Sequence, residues 1–179
     1  MWPLFAGLSL IGLAVGVQGS LLGVRAELEG FDDYLIGLLM SCYFAGFLAG
    51  SLLTPKMIQR VGHIRIFAAL SAVASVTILV HSIYVNPWAW ALMRLLTGFA
   101  FSTIYVVSES WLNQASSNAN RGQILSIYTA ILLAGICAGQ FMLNLADPME
   151  FTLFILISVM VSVAAVPILL SIVTTPAIE

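Results

Sequence analysis

The stretch from Gly46 to Arg65 reads GFLAGSLLTPKMIQRVGHIR, and it decides the fold. An apolar run spaced by glycines ends at Thr54 and Pro55, a short basic segment follows, and another apolar run begins after it. Lys and Arg collect on the cytoplasmic side of membrane proteins, in short loops next to the ends of spans. We therefore expect a loop here that faces the cytoplasm and sets the direction of every other segment. The residues expected to form this loop are Lys56, Arg60, Gly62 and Arg65.

The composition predicts that most of the chain lies in lipid. The 179 residues are 61% hydrophobic and 8% charged, and the mean hydropathy is +1.06. Soluble domains carry about 25% charged residues, so a soluble fold could not cover this much apolar surface. The net charge of -2 offers no basic surface to nucleic acid. No HExxH, GxSxG, P-loop or zinc-ligand spacing occurs, so the sequence predicts neither an enzyme nor a cofactor or metal site.

Six apolar runs are each long enough for a spanning helix, which needs about 20 mostly apolar residues. They predict an all-α membrane protein with one six-helix transmembrane bundle over residues 1–173, after which residues 174–179 begin a cytoplasmic tail or a linker. A six-stranded barrel would require residues that alternate in polarity, whereas these runs are continuous. The predicted spans are residues 3–24, 34–53, 66–84, 88–112, 124–145 and 151–172.

The charges in the loops predict the orientation of the bundle. Four cations fall in loops on one side of the membrane, and a single one, Arg25, falls on the other. Because the side with more Lys and Arg is the cytoplasmic side, both termini are expected in the cytoplasm. The four cations are Lys56, Arg60, Arg65 and Arg121.

Pairs of glycines four residues apart predict which helices touch. In lipid, helices associate by close packing, and small residues at this spacing allow two backbones to approach. Any single pair could instead be a tolerated substitution in an apolar helix. Because the pairs occur on spans one, two and five, these spans are expected to be central and spans three and six to face lipid. The pairs are Gly12 with Gly16, Gly19 with Gly23, Gly46 with Gly50, and Gly135 with Gly139.

Arg94 is the residue most indicative of function, because an arginine at the centre of a spanning helix costs about 2.5–3.5 kcal/mol on insertion scales. Such residues usually face a bundle interior or water. Gly98 and Ser102 follow on the same face of span four, as expected for a stripe that lines a cavity. The alternative is that the long side chain of Arg94 reaches the outer membrane interface, in which case its charge does not indicate function.

Two glutamines extend this prediction to a polar chamber in the outer half of the bundle. Gln18 on span one and Gln140 on span five lie at about the depth of Arg94. Buried amides in lipid need hydrogen-bond partners, so the three side chains are expected either to bind a solute or to bond one another between helices.

Glu109 is the second charge within a span, near the cytoplasmic end of span four. It is expected to be either a titratable gate residue or a solvated carboxylate that pairs with a loop cation. His63 in the basic segment and His81 near the outer end of span three have no metal-like partner at short spacing, so both are expected at the membrane interfaces.

These features resemble the N-terminal half of a major facilitator superfamily transporter, and the resemblance covers the whole chain. The superfamily loop signature G-x-L-x-D-R-x-G-R-R can be laid over Pro55 to Ile64, where Arg60 and Gly62 match it. Gln59 stands in the place of the acid, so the carboxylate that tethers this loop to the other half in the family is absent. The R-x-x-x-G signature of the fourth span fits Arg94 and Gly98. The segments Glu109–Asn113, Arg121-Gly122 and Gly139-Gln140 resemble a little-characterised bacterial branch.

The resemblance implies two inverted three-helix repeats and a function in secondary active transport of a small solute by alternating access. In the family, the arginine of the fourth span is associated with proton coupling; here Arg94 would attract an anionic group or act on a nearby proton site. A bacterial plasma membrane location is implied, together with a second six-helix half in the same chain beyond residue 179, in a separate chain, or in a homodimer. The alternative function is a non-transporting membrane subunit that anchors a partner protein.

Overall fold

The computed structural model describes residues 2–170, and it contains six helices long and apolar enough to cross a membrane. No strand occurs among the described residues, so the predicted all-α membrane class is confirmed. Residues 171–179, and with them the predicted end of the bundle at 173 and the tail at 174–179, lie outside the described range. The helices are α1 (Trp2–Leu28), α2 (Asp33–Val61), α3 (His63–Ile83), α4 (Pro87–Gln114), α5 (Arg121–Met142, followed by the 3₁₀ turn Leu143–Leu145), α6 (Thr152–Ala164) and its continuation α7 (Val166–Leu169).

Short polar links with capping residues join the helices at one end of the bundle. Asp32 begins α2, because its Oδ1 accepts a hydrogen bond of 2.7 Å from the Leu35 N–H. Asn86 begins α4 in the same way and accepts from the N–H groups of Trp88 and Ala89 at 3.0 and 3.2 Å. Such caps satisfy backbone donors that a helix leaves free at its first turn. Consecutive helices joined by links this short run antiparallel and cross the membrane in turn.

The predicted loop between spans two and three is almost entirely helical, which corrects the sequence analysis. Lys56 and Arg60 lie in the last turns of α2, Arg65 lies in the first turn of α3, and Gly62 alone separates the helices with φ +88°. The sequence analysis took Pro55 as a helix end, but a spanning helix tolerates proline where its other backbone bonds remain satisfied. At 29 residues, α2 is about 44 Å long and exceeds the hydrocarbon core of about 30 Å.

The helix contacts repeat in two halves of the bundle, in agreement with the implied inverted three-helix repeats. α2 packs on α4, and α5 packs on α1 in the equivalent way. α3 packs on α4 just as α6 packs on α1, and α3 also contacts α6 where the two repeats meet. Exchanging α1 with α4, α2 with α5 and α3 with α6 therefore reproduces the pattern of contacts.

The glycine contacts match between the repeats residue by residue. A Cβ at Gly46 would overlap the Leu95 carbonyl oxygen of α4, and a Cβ at Gly135 would approach the Ser9 carbonyl oxygen of α1 to 3.1 Å. The same equivalence holds one turn further along both helices, where Gly50 meets Phe99 and Gly139 meets Leu13. Gly12 and Gly16 lie opposite Gly135 and Ile136, so the structure places six of the eight predicted glycines at close helix contacts.

One detail of the packing prediction is wrong. Gly19 has no atom within 4 Å of a built Cβ, and Gly23 approaches only the Met40 side chain at 3.7 Å, so this pair mediates no backbone contact. In the most apolar 18-residue stretch of each helix, 17% of the residues of α2 and 22% of those of α5 are buried. The corresponding shares are 56% for α3 and 50% for α6. A glycine stripe buries one side of a helix against one neighbour, so α2 and α5 remain uncovered elsewhere within this bundle, while α3 and α6 each pack against two helices. That spans three and six face lipid stays a prediction.

Candidate functional site

Arg94 lies inside the bundle, on the side of α4 that faces α2. Its side chain is 5% exposed, so it does not reach the outer interface. The guanidinium carbon lies 4.4 Å from the centre of the Tyr43 ring, a cation–π contact, and Nη2 lies 3.5 Å from the Met40 sulfur. Both partners are weak compared with a carboxylate. The protein therefore buries a guanidinium in the membrane with an aromatic face and a thioether as its neighbours.

Two buried donors on different helices have no hydrogen-bond partner among the described residues. They are Nε of Arg94 and Nε2 of Gln18, whose side chain is 3% exposed. Buried polar groups in native proteins are nearly always bonded, so each exception calls for an explanation such as a ligand or an ordered water. Within residues 2–170 the one ion pair joins Arg25 to Glu29, at 2.7 Å, and Arg94 takes no part in it.

A cavity of about 270 Å³ lies where α1, α2 and α4 meet, and both orphan donors belong to its wall. Phe44 and Gly19 are exposed at its rim, so the cavity opens between α1 and α2. No group of three or more His, Cys, Asp or Glu side chains suited to a metal ion occurs in the described part of the chain. The wall can donate hydrogen bonds from Arg94 and Gln18, and it carries the positive charge of Arg94. Its apolar side chains can pack against an apolar group. Its residues are Val15, Gln18, Gly19, Met40, Tyr43, Phe44 and Arg94.

The inverted repeat shows why Arg94 faces this cavity. Gly98, one turn after Arg94, packs on the Tyr43 carbonyl, and its equivalent Gly12 packs on the Leu132 carbonyl. One turn before Gly12 stands Leu8, which is fully buried. The second repeat thus carries Arg94 at the position where the first repeat carries Leu8. The charge of Arg94 therefore breaks the symmetry between the two repeats.

Two residues predicted to line a cavity with Arg94, Gln140 in the outer chamber and Ser102 in the stripe on span four, lie elsewhere. Gln140 is exposed on α5, because Gly139 packs on α1 and the next residue is turned by about 100° around the helix axis. Ser102 is fully buried with its hydroxyl unpaired, but it lies against Gly50 in the contact between α2 and α4. The stripe of Arg94, Gly98 and Ser102 is therefore a helix contact with a cavity at one end, and the predicted cavity-lining stripe is wrong.

Comparison with known proteins identifies the family of this bundle. A family model described as Major Facilitator Superfamily matches residues 4–178. The chain belongs to the major facilitator superfamily. It is 32% identical over 141 residues to an uncharacterized MFS-type transporter of Enterobacter sp. (strain 638). The identity is also 32% over 141 residues to the uncharacterized MFS-type transporter YcaD of Escherichia fergusonii. A YcaD of Escherichia coli O45:K1 (strain S88) is 30% identical over the same length.

Membership of the major facilitator superfamily confirms the predicted resemblance, and with six apolar helices the chain is an integral membrane protein. Each of these alignments covers 79% of the chain and 37% of the relative. The chain thus spans little more than a third of the length of the curated relatives that it matches.

In this superfamily bundle, Glu109 lies far from the Arg94 cavity. It is exposed and accepts a hydrogen bond of 3.2 Å from the Tyr128 hydroxyl, which links the ends of α4 and α5. Fifteen residues of helix separate Glu109 from Arg94, a distance of about 22 Å along the axis. The structure therefore separates the two intramembrane charges into a site within the bundle and a link at its end.

The basic residues at the α2–α3 junction, Lys56, Arg60 and Arg65, are all exposed, and no salt bridge among the described residues includes them. The two histidines lie near the two ends of α3, and both are buried. His63 is 1% exposed with Nε2 3.0 Å from the Ser110 hydroxyl, and His81 is fully buried with Nδ1 donating to the Thr77 carbonyl at 2.7 Å. Each helix face that carries a histidine packs against α4, which depth along the sequence does not reveal.

Sequence analysis missed the side chains that surround Arg94 from α2. Tyr43 covers its guanidinium, Met40 contacts it, and Phe44 closes the rim of the cavity. A signal for Tyr43 was present, because it precedes Gly46 by three residues and so lies on the face of α2 that the glycines bring against α4.

Proposed function

We propose that this chain is one six-helix half of a secondary active transporter that moves a small solute by alternating access, and that it is not an enzyme. The observation that carries the proposal is the Arg94 guanidinium, buried in the bundle without a carboxylate partner and open to a cavity with Gln18. Ionisable residues inside membrane proteins mark substrate and ion routes. Membership of the superfamily and the names of the relatives, which describe transporters, support transport.

A second six-helix half completes the transporter, in the same chain beyond residue 179, in a separate chain or in a homodimer. The relatives are long enough for one, since the alignments cover 37% of their length. The uncovered face of α5 supports it as well, because this face carries small residues at every fourth position, the spacing that allows helices to pack closely in lipid. These exposed residues are Ser126, Ala130, Ala134 and Ala138.

The transporter resides in the bacterial plasma membrane with both termini in the cytoplasm. The basic ends of α2 and α3 then face the cytoplasm, as the excess of positive charge in short links requires. In such transporters, two repeats or halves rock around a site near the middle of the membrane. A proton moves with the solute, and Arg94 attracts an anionic group or modulates a nearby proton site.

Transport can be tested without knowledge of the solute, because coupled proton movement is its readout. Inside-out vesicles from cells that produce the complete transporter are energised, a pH-sensitive dye is added, and candidate solutes are supplied in turn. A solute that is carried in exchange for protons collapses the pH gradient, and we expect Arg94→Ala to abolish this response. The matched control is Gln140→Ala, which alters an exposed polar residue outside the cavity and should leave the response unchanged.

An equal response in wild-type and Arg94→Ala vesicles would remove Arg94 from the mechanism. If no solute moves protons and no labelled solute accumulates, while a soluble protein copurifies with the chain, the anchoring function replaces transport.

A further inference from the structure

The cavity beside Arg94 lacks a counterion for the guanidinium. A charge taken out of water is costly unless it is paired and hydrogen-bonded. Tyr43 and Met40 supply weak contacts, Nε remains without a partner, and the amide Nε2 of Gln18 is likewise unbonded. Within residues 2–170, the nearest acidic residue on the same helix is Glu109, about 22 Å away. No acidic side chain lines the described wall of the cavity, so a ligand that enters it can supply the missing counterion.

We propose that this cavity binds a small monocarboxylate, whose carboxylate oxygens accept hydrogen bonds from Arg94 and Gln18. The inference rests on the proposed function, because it names the class of solute at that same site. The planar guanidinium fork matches the two oxygens of a carboxylate, and charge-assisted hydrogen bonds of this kind are roughly twice as strong as those between neutral groups.

The charge balance favours a carboxylate over a phosphate. The described wall of the cavity carries a single formal charge, that of Arg94. A monoanion neutralises it, whereas a dianion would leave one negative charge unpaired among apolar side chains. The second orphan donor, Gln18, is neutral and supplies a hydrogen bond without adding charge.

The size and the remaining wall favour a short apolar body on the carboxylate. The cavity volume of about 270 Å³ lies just below the range of roughly 300–1,000 Å³ that is usual for drug-sized ligands. Val15, Met40 and Phe44 provide apolar contacts, and the ring of Tyr43 provides an aromatic one. Benzoate has the required anion and body, and benzamide is its uncharged analogue of nearly equal shape.

The proposal is tested by titrating three probes into the full chain in lipid nanodiscs. The probes are benzoate, benzamide and phenylphosphonate, and the readout is the ¹⁵N NMR signals of the arginine Nε and glutamine side-chain amide groups. We expect benzoate to shift the signals of Arg94 and Gln18 together and saturably. Benzamide and phenylphosphonate should bind at least roughly tenfold more weakly, a difference of about one charge-assisted hydrogen bond.

Variants identify the groups that hold the probe. Arg94→Gln should weaken benzoate binding by roughly tenfold or more, and Gln18→Leu by several-fold. Gln140→Leu is the matched control, since it removes a glutamine that lies outside the cavity, and it should leave affinity unchanged. The wild-type titration does not depend on whether a variant folds. Absence of a benzoate-induced shift at Arg94, equal binding of benzamide, preference for phenylphosphonate, or unchanged affinity in Arg94→Gln would each overturn the proposal.

Failure of this inference is distinguishable from failure of the proposed function. If vesicles carry a neutral or cationic solute in an Arg94-dependent manner, the carboxylate assignment is wrong and transport stands. If no solute is carried although benzoate binds as expected, the cavity is a monocarboxylate site in a protein that does not transport.

Discussion

The guanidinium carbon of Arg94 lies 4.4 Å from the centre of the Tyr43 ring, so an aromatic face on α2 covers the charge that α4 brings into the bundle. Replacing Tyr43 by Leu removes this face, and we expect the free energy of unfolding in detergent to fall by about 0.5–2 kcal/mol. Tyr43→Phe keeps the ring and should retain most of that stability. Combining each change with Arg94→Leu isolates the pair: if Tyr43→Leu costs the same with and without Arg94, the ring does not stabilise the guanidinium.

Gly98 is expected to tolerate no larger side chain, because a Cβ there would overlap the Tyr43 carbonyl oxygen. Gly98→Ala must push α2 away from α4, and overpacking of this kind costs about 1–3 kcal/mol. Gly37→Ala on α2 is the control, since nothing lies within 4 Å of a Cβ at that position, and alanine improves helix propensity by up to about 1 kcal/mol. Thermal unfolding of both variants measures the difference, and equal midpoints would contradict the close contact.

Serine hydroxyls hold α3 to α6 where the two repeats meet. Ser75 and Ser158 lie 2.7 Å apart, and Ser162 donates to Ser75 at 2.8 Å. A double-mutant cycle with Ser75→Ala and Ser158→Ala should give a coupling of about 0.6 kcal/mol, the average for hydrogen bonds between membrane helices. Ser126→Ala on the exposed face of α5 is the reference, and its effect should add to that of Ser75→Ala without coupling. A zero coupling between Ser75 and Ser158 would show that the hydroxyls do not bond.

The proposed orientation places the α3–α4 link outside the cell and the α4–α5 link inside. A single cysteine at exposed Val85 or Asn118, in a chain with Cys42 and Cys137 replaced by Ser, should therefore label differently with a membrane-impermeant maleimide. Intact cells should label Val85→Cys and spare Asn118→Cys, because the positive charges stay on the cytoplasmic side. Permeabilised cells should label both. The reverse pattern in intact cells would invert the topology and place the basic end of α2 outside.

The spanning helices were predictable because lipid imposes a requirement that can be read along the chain. A span needs a continuous apolar run, and every helix from α1 to α6 overlaps a predicted one. The helix ends were less predictable. Pro55 and the cations after it were taken as a loop, but the backbone continues as α2 to Val61, because a helix that leaves the membrane need not stop there.

The site was predictable only in part. Arg94 was identified from its charge, and Gln18 from its depth, without reference to any neighbour. The position of the Gln140 side chain was not predictable, because depth along a helix does not determine in which direction a side chain points around the helix axis. The contact of Gly139 with α1 contains that information, since it turns the next residue away from the bundle.

The amino-acid sequence by itself determined that this chain crosses the membrane six times, and that one guanidinium lies within a span, because both depend on the polarity of single residues. Only the tertiary structure decided that Arg94 contacts Tyr43 and Met40 and shares a cavity with Gln18, and that Gln140 and Ser102 lie elsewhere. The physical reason is the rotation of each helix about its axis, which close packing of small residues sets to within a fraction of a turn. That rotation depends on contacts between residues far apart in the chain, as when Gly98 meets Tyr43.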